Sequence, residues 1–104
     1  MLPTYRIIIS PQAAADIQSI HDYISIDSPN HAAQMVGRIL AGMESLRTVP
    51  HRPIFEHGKP NLKHPVRSLP VNPYVIYFRV IQTEQVVLIQ TIRHSARRQP
   101  RKFE

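Results

Sequence analysis

A chain of 104 residues, 42% hydrophobic and without cysteine, is sized for one domain with a single modest core, and it excludes disulfides, thiolate metal sites and thiol nucleophiles. No apolar run approaches the roughly 20 residues of a membrane span, and no basic-then-apolar leader opens the chain, so a cytoplasmic protein is expected. The formal net charge is +6, unevenly placed: residues 1–46 hold only Arg6 and Arg38 against Asp16, Asp22, Asp27 and Glu44, while residues 47–104 hold the other basic residues against Glu56, Glu84 and Glu104. Such asymmetry points to a polyanion or an acidic protein surface as partner of the second half; the plainer alternative is a solvated basic face.

Thr4 to Ile9 alternates Tyr5, Ile7 and Ile9 against Thr4, Arg6 and Ile8 and reads as a first strand. Ser10-Pro11 predicts a helix start, because serine can cap the free N–H groups and proline fits the first helical position. Ala13, Ile17, Ile20 and Ile24 recur at helical spacing as the buried stripe, with Asp16, Gln18 and Asp22 off it. Ser28-Pro29 repeats the start signal, and Ala32, Val36, Ile39, Leu40, Met43 and Leu46 mark a second stripe that stops before Pro50. The short link predicts an antiparallel helical hairpin. Gly37 and Gly42, inside the second helix, each cost about 1 kcal/mol relative to alanine. Close helix contact against Ala13 to Ala15 is the expected compensation, and Met35 and Met43 read as core filling.

Val49 to Pro65 carries Pro50, Pro53, Gly58, Pro60 and Pro65 and reads as an irregular connector decorated by His51, His57, His64, Lys59 and Lys63. No histidine has another three or four residues away and no H-E-x-x-H run occurs, so no metal site is expected. A phosphate-cradling glycine loop and a nucleophile elbow are also missing, so no cofactor is expected.

Three β-rich runs follow: Val66 to Val71, Val75 to Ile81 and Val86 to Ile92. Pro70-Val71-Asn72-Pro73 turns the first into the second, and Gln82-Thr83-Glu84-Gln85 links the second to the third. Alternation places Tyr74, Ile76, Phe78 and Val80 on a core face and Val75, Tyr77, Arg79 and Ile81 on a more open one. There Tyr77 and Arg79 are within reach of a ligand, or Arg79 merely snorkels beside an aromatic ring. The register is open. A two-residue loop at Thr83-Glu84 groups Arg79 with Val86, Leu88, Gln90 and Ile92, whereas one more loop residue groups it with Val87, Ile89, Thr91 and Arg93. The expected fold class is α+β: an N-terminal strand and an antiparallel helical hairpin packed on an antiparallel β-sheet that ends in a three-stranded meander, with residues 1–104 as a single domain.

The runs S-P-Q-A-A-A-D-I, D-S-P-N-H-A, R-T-V-P-H-R-P, V-R-S-L-P-V-N-P-Y-V-I-Y-F-R-V and I-R-H-S-A-R-R span nearly the whole chain in that order. Together they resemble the RelE/ParE superfamily of bacterial toxins, and more closely its ParE-like branch, often labelled plasmid stabilization proteins, than RelE itself. The resemblance implies the toxin half of a type II toxin–antitoxin pair, neutralised by a small cognate antitoxin. RelE-like members cut mRNA in the ribosome, where the 2′-hydroxyl attacks the adjacent phosphate; that chemistry needs a base, cations and an acid. ParE-like members bind DNA gyrase and trap it on cleaved DNA, with no chemistry of their own.

For a nuclease the candidates are Arg67, Arg79, Arg93 and His94, with Lys59 and Lys63 as phosphate clamps. Against it, no tyrosine follows Tyr77, where RelE keeps one near its C-terminus, and Lys59 and Lys63 match the expected lysine pair only loosely. His94 sits near the place of a catalytic histidine in some RelE-like nucleases, but ParE-like sequences often carry one there too, and capping of the last strand is an equal reading. The resemblance therefore implies gyrase inhibition, with target contacts from Arg67, Tyr77, Arg79, Arg93, His94 and the tail residues Arg97, Arg98, Arg101 and Lys102. An mRNA endonuclease and a non-catalytic nucleic-acid-binding module are the alternatives. Guanidinium groups in the tail suit paired hydrogen bonds to phosphate or carboxylate oxygens, or the tail is a solvated terminus. The antitoxin is expected to lay an acidic segment, folding on binding, across the helical hairpin and the sheet edge.

Overall fold

The structure, a computed structural model, describes residues 4–48, 56–57 and 65–96. Strand β1 (Arg6–Ile9) leads into helices α1 (Pro11–Ser25) and α2 (Pro29–Ser45); β2 (Glu56–His57), β3 (Val66–Val71), β4 (Tyr74–Ile81) and β5 (Val86–His94) follow. In space the strands lie in the order β1-β5-β4-β3-β2. The meander is antiparallel, as its turn residues predict. β1, however, runs parallel to β5, from Arg6 opposite Val86 to Ile9 opposite Ile89, so the sheet is mixed. A parallel neighbour requires a crossover, and here both helices and the meander form it. β2, inside the stretch expected to be irregular, pairs antiparallel with β3.

Both helix starts form as the sequence signals. The Ser10 hydroxyl accepts from the Ala13 N–H at 3.0 Å and the Ser28 hydroxyl from the His31 N–H at 3.2 Å, with proline opening each helix. α1 buries Ala13 and Ile20, and α2 buries Ala32, Met35, Ile39 and Met43. All of these but Ala32 meet Ile76, Phe78 and Val80 of β4 and Val87, Ile89 and Ile92 of β5 in one apolar cluster, where each large side chain contributes about 1.5–3 kcal/mol. Leu40, expected in the second stripe, is instead 46% exposed.

The glycines depart from expectation for a steric reason. Gly37 faces open space, and Gly42 lies against the sheet rather than α1: a Cβ there would stand 3.0 Å from Val71 Cγ2 and 3.4 Å from Ile76 Cδ1. The close approach is helix to sheet.

Asp16, expected off the buried stripe, is half-buried on it, three residues after Ala13 and four before Ile20. Its Oδ2 accepts from the Thr91 hydroxyl at 2.5 Å and from the Ile92 N–H at 3.0 Å. β1 ends at Ile9, opposite Ile89, so the next residues of β5 have no strand beside them on that edge, and the carboxylate takes the place of the missing partner. Asp16→Ala should cost about 1–3 kcal/mol, the penalty for stranding a shielded donor, measured by urea unfolding. In the same assay Gly37→Ala should stabilise by up to about 1 kcal/mol, while Gly42→Ala should lose that gain to its contact with Val71.

Candidate target-binding face and apolar groove

The β4–β5 register decides which side chains work together. Gln82 to Gln85 form the loop, with Gln85 in the left-handed region at φ 53, and Ile81 stands opposite Val86. Arg79 stands opposite Leu88 and Phe78 opposite Ile89, but Tyr77 stands opposite Thr91, so Gln90 is an extra residue in β5. Each register considered from the sequence therefore holds for half of the strand: Arg79 shares its face with Val86 and Leu88, and beyond the bulge with Thr91 and Arg93. A β-bulge re-aims the side chains that follow it. Here it brings Arg93 onto the face of Tyr77 and Arg79, away from the helices, and returns Ile92 to the core.

That face is less open than alternation alone suggests. Tyr77 is only 5% exposed and Val66, on the same side of β3, is fully buried. Burial pushes the Tyr77 hydroxyl above its ordinary pKa of 10.0, and the nearby Arg93 guanidinium pulls in the other direction without cancelling it. The Nε and Nη2 of Arg79 and the Nε of Arg93 are shielded from solvent and meet no hydrogen-bond partner among the described residues.

The remaining candidates sit elsewhere. Arg67 stands opposite Phe78 and so emerges, half-buried, on the helix side of the sheet. His94, opposite Tyr74, is on that side too, with the two rings edge to face at 5.4 Å and 82°. Its Nδ1 accepts from the Ala96 N–H at 3.1 Å, which requires a bare Nδ1 and places the proton of the neutral ring on Nε2. Lys59, Lys63, Arg97, Arg98, Arg101 and Lys102 lie outside the described residues. Among those described, no three His, Asp or Glu side chains gather as a metal would need, and no helix is long and apolar enough to cross a membrane.

A groove of about 610 Å³ opens between the second half of α1 and the end of the sheet, lined by Ile20, Tyr23, Ile24, Met35, Tyr74 and Ile92 and bordered by Asp16, Arg93 and His94. Tyr23 is 73% exposed, and Ile26, just past α1, is 80% exposed. Neither residue stood out in the sequence. The signal was there in Tyr23, three residues beyond Ile20 and so beside the buried stripe, where a solvated helix face would carry a polar residue.

The fold, a helical hairpin on one side of a mixed sheet, is shared with chains in solved structures of toxin–antitoxin systems. The chromosomal ParDE system from P. aeruginosa matches with a TM-score of 0.70 and 24% identity over 88% of this chain and 96% of that one. The archaeal RelE-RelB complex from Pyrococcus horikoshii OT3 gives 0.67 and 17% over 91% and 99%. RelBE2 from Mycobacterium tuberculosis gives 0.63 and 14% over 90% and 94%. The family described as ParE toxin of type II toxin-antitoxin system, parDE, matches residues 7–99, and the chain belongs to it. No curated protein sequence matches the chain.

The raised Tyr77 pKa has a definite sign in stability. Below its ordinary value of 10.0 both folded and unfolded chains keep the phenol proton; above it the unfolded chain loses the proton first, so stability falls as pH climbs through the folded value. Tyr77→Phe should flatten the loss of urea midpoint between about pH 9 and pH 11 relative to the parent, while leaving the neutral-pH slope unchanged.

Proposed function

We propose that this ParE-family toxin arrests growth by binding DNA gyrase through the sheet face of Tyr77, Arg79 and Arg93, and that it cuts no nucleic acid itself. The observation that carries this reading is the division of the nuclease candidates. Arg79 leaves the face away from the helices and Arg67 the helix side, and only Arg93 and His94 come together, at the border of the groove. Phosphoryl transfer needs base, acid and cations around one phosphate, and side chains leaving opposite faces of a sheet are poorly placed for that. His94 is further limited, because the Nδ1 that would take a proton already accepts from Ala96. Binding has no such requirement. Arg67 and, in the sequence, Arg97, Arg98, Arg101 and Lys102 add positive charge, which speeds association with an acidic surface.

The groove suits the cognate antitoxin. It presents apolar side chains from α1 and β5, and Arg93 and His94 at its border favour a segment with acidic residues. Tyr23 and Ile26, exposed in the free toxin, are natural anchors for it. Residues 1–104 would act as one toxin domain in the cytoplasm, where gyrase and antitoxin are found.

Purified toxin should inhibit gyrase supercoiling and accumulate cleaved DNA in vitro. Arg93→Ala should weaken this about tenfold to a hundredfold, since a charge-assisted hydrogen bond contributes about 1.5–3 kcal/mol. Untouched gyrase, together with codon-specific mRNA cleavage in a translating extract, would replace this reading with the endonuclease one.

A further inference from the structure

β1 is the outermost strand of the sheet on the β5 side, and its outer edge is open. The Arg6 and Ser10 N–H groups turn inward and donate to the Gln85 and Ile89 carbonyls, at 2.9 and 3.0 Å. Backbone groups alternate along a strand, so Ile7 and Ile9 turn their N–H and C=O groups outward. Among the described residues no backbone group bonds to them there. The opening is bounded at both ends. The Tyr5 N–H donates to the Arg47 carbonyl at 2.8 Å on one side, and on the other Ser10 caps α1. Between these limits lie Ile7, Ile8 and Ile9, with Ile8 42% and Ile9 40% exposed. Natural sheet edges are ordinarily blunted by lysine, proline or a bulge, and this stretch holds none of them.

We propose that β1 pairs antiparallel with β1 of a second copy of this chain, about a two-fold axis through Ile8. The opening is complementary to itself. Three isoleucines read the same in both directions, so the axis sets Ile7 against Ile9 of the second copy, Ile8 against Ile8, and Ile9 against Ile7. The outer pairs are the ones whose backbone groups face outward, and each exchanges both of its N–H···O bonds; Ile8 forms the closer, non-hydrogen-bonded pair between them. Opposed β-branched side chains are favourable cross-strand pairs, and the exposed Ile8 and Ile9 leave water. Charge also permits the contact. The surplus of basic residues that would repel a second copy lies in residues 47–104, whereas residues 1–46 hold two basic against four acidic side chains. An acidic antitoxin strand would find no lysine at this edge and only three residues to align on. The interface is isologous and falls short of the roughly 1,200 Å² of a standard complex, so the dimer forms and dissociates with concentration. It joins two sheets edge to edge with both helical hairpins on one side, and the two Arg79 faces on the other.

The chain has no cysteine, so one introduced thiol reports the pairing. Ile8→Cys sets two thiols opposite each other at about 4.5 Å between Cα atoms, within disulfide range. Free toxin carrying Ile8→Cys should give a linked dimer under mild diamide oxidation, and Gln18→Cys, on the exposed side of α1, should not. By analytical ultracentrifugation the parent should show a monomer–dimer equilibrium. Ile8→Lys should weaken it about tenfold, since it removes an apolar pair and opposes like charges, and should leave the circular dichroism and the affinity for antitoxin unchanged. A parent that sediments as a monomer up to its solubility limit, equal linking of Ile8→Cys and Gln18→Cys, or an undiminished dimer in Ile8→Lys would overturn the proposal. So would Ile8→Lys weakening antitoxin binding as much as self-association, which would assign the edge to an antitoxin strand.

Discussion

The carboxylate of Asp16 holds α1 against the stretch of β5 that β1 leaves uncovered, through Thr91 and the Ile92 N–H. A second polar group works six residues earlier in the chain. The Ser10 hydroxyl accepts from the Ala13 N–H and donates to the Gln90 carbonyl at 2.8 Å, so the cap of α1 is also a tie to the bulge residue. Together they bracket the irregularity in β5 with fixed partners on the helix, satisfying backbone groups that a regular ladder would have paired. The bulge in turn sets the phase of everything after it. With Gln90 as the extra residue, Ile92 enters the core, His94 meets Tyr74 and Arg93 joins Tyr77; a regular strand would have put each on the other side.

Two surfaces follow from that phase, and they differ physically. The groove beside α1 is apolar with exposed aromatic and aliphatic side chains, a surface that gains by removing area from water. The opposite sheet face is buried around Tyr77 and carries guanidinium nitrogens that meet no hydrogen-bond partner among the described residues. Arg93 stands where the two approach each other, bordering the groove while acting electrostatically on Tyr77.

The sequence showed most of the scaffold because its signals are local. Ser10-Pro11 and Ser28-Pro29 start helices whatever surrounds them, and the meander follows from alternation and turn residues. The parallel pairing of β1 with β5 was hidden, because pairing between chain ends is decided by packing and leaves no local mark. The bulge was hidden for a related reason. Gln90 differs in nothing from a ladder residue until Ser10 and Asp16 are placed beside it. Asp16 was legible on spacing, three residues after Ala13 and four before Ile20, yet was placed off the buried stripe, which shows that a carboxylate at a buried helical position calls for a search for backbone donors. At the site, Arg79 and Arg93 were named from the sequence, but their place on one face depended on the bulge, and the groove needed α1 and the sheet end together.

The central claim is that the antitoxin and the target use different surfaces of this toxin. A growth assay of single substitutions, each expressed with and without the cognate antitoxin, tests it most directly. Tyr23→Ala and Ile26→Ala should remain toxic and escape neutralisation, while Arg79→Ala should lose toxicity and still bind antitoxin in a pull-down. If substitutions in the groove and on the sheet face instead lose toxicity and antitoxin binding together, the two-surface account is wrong.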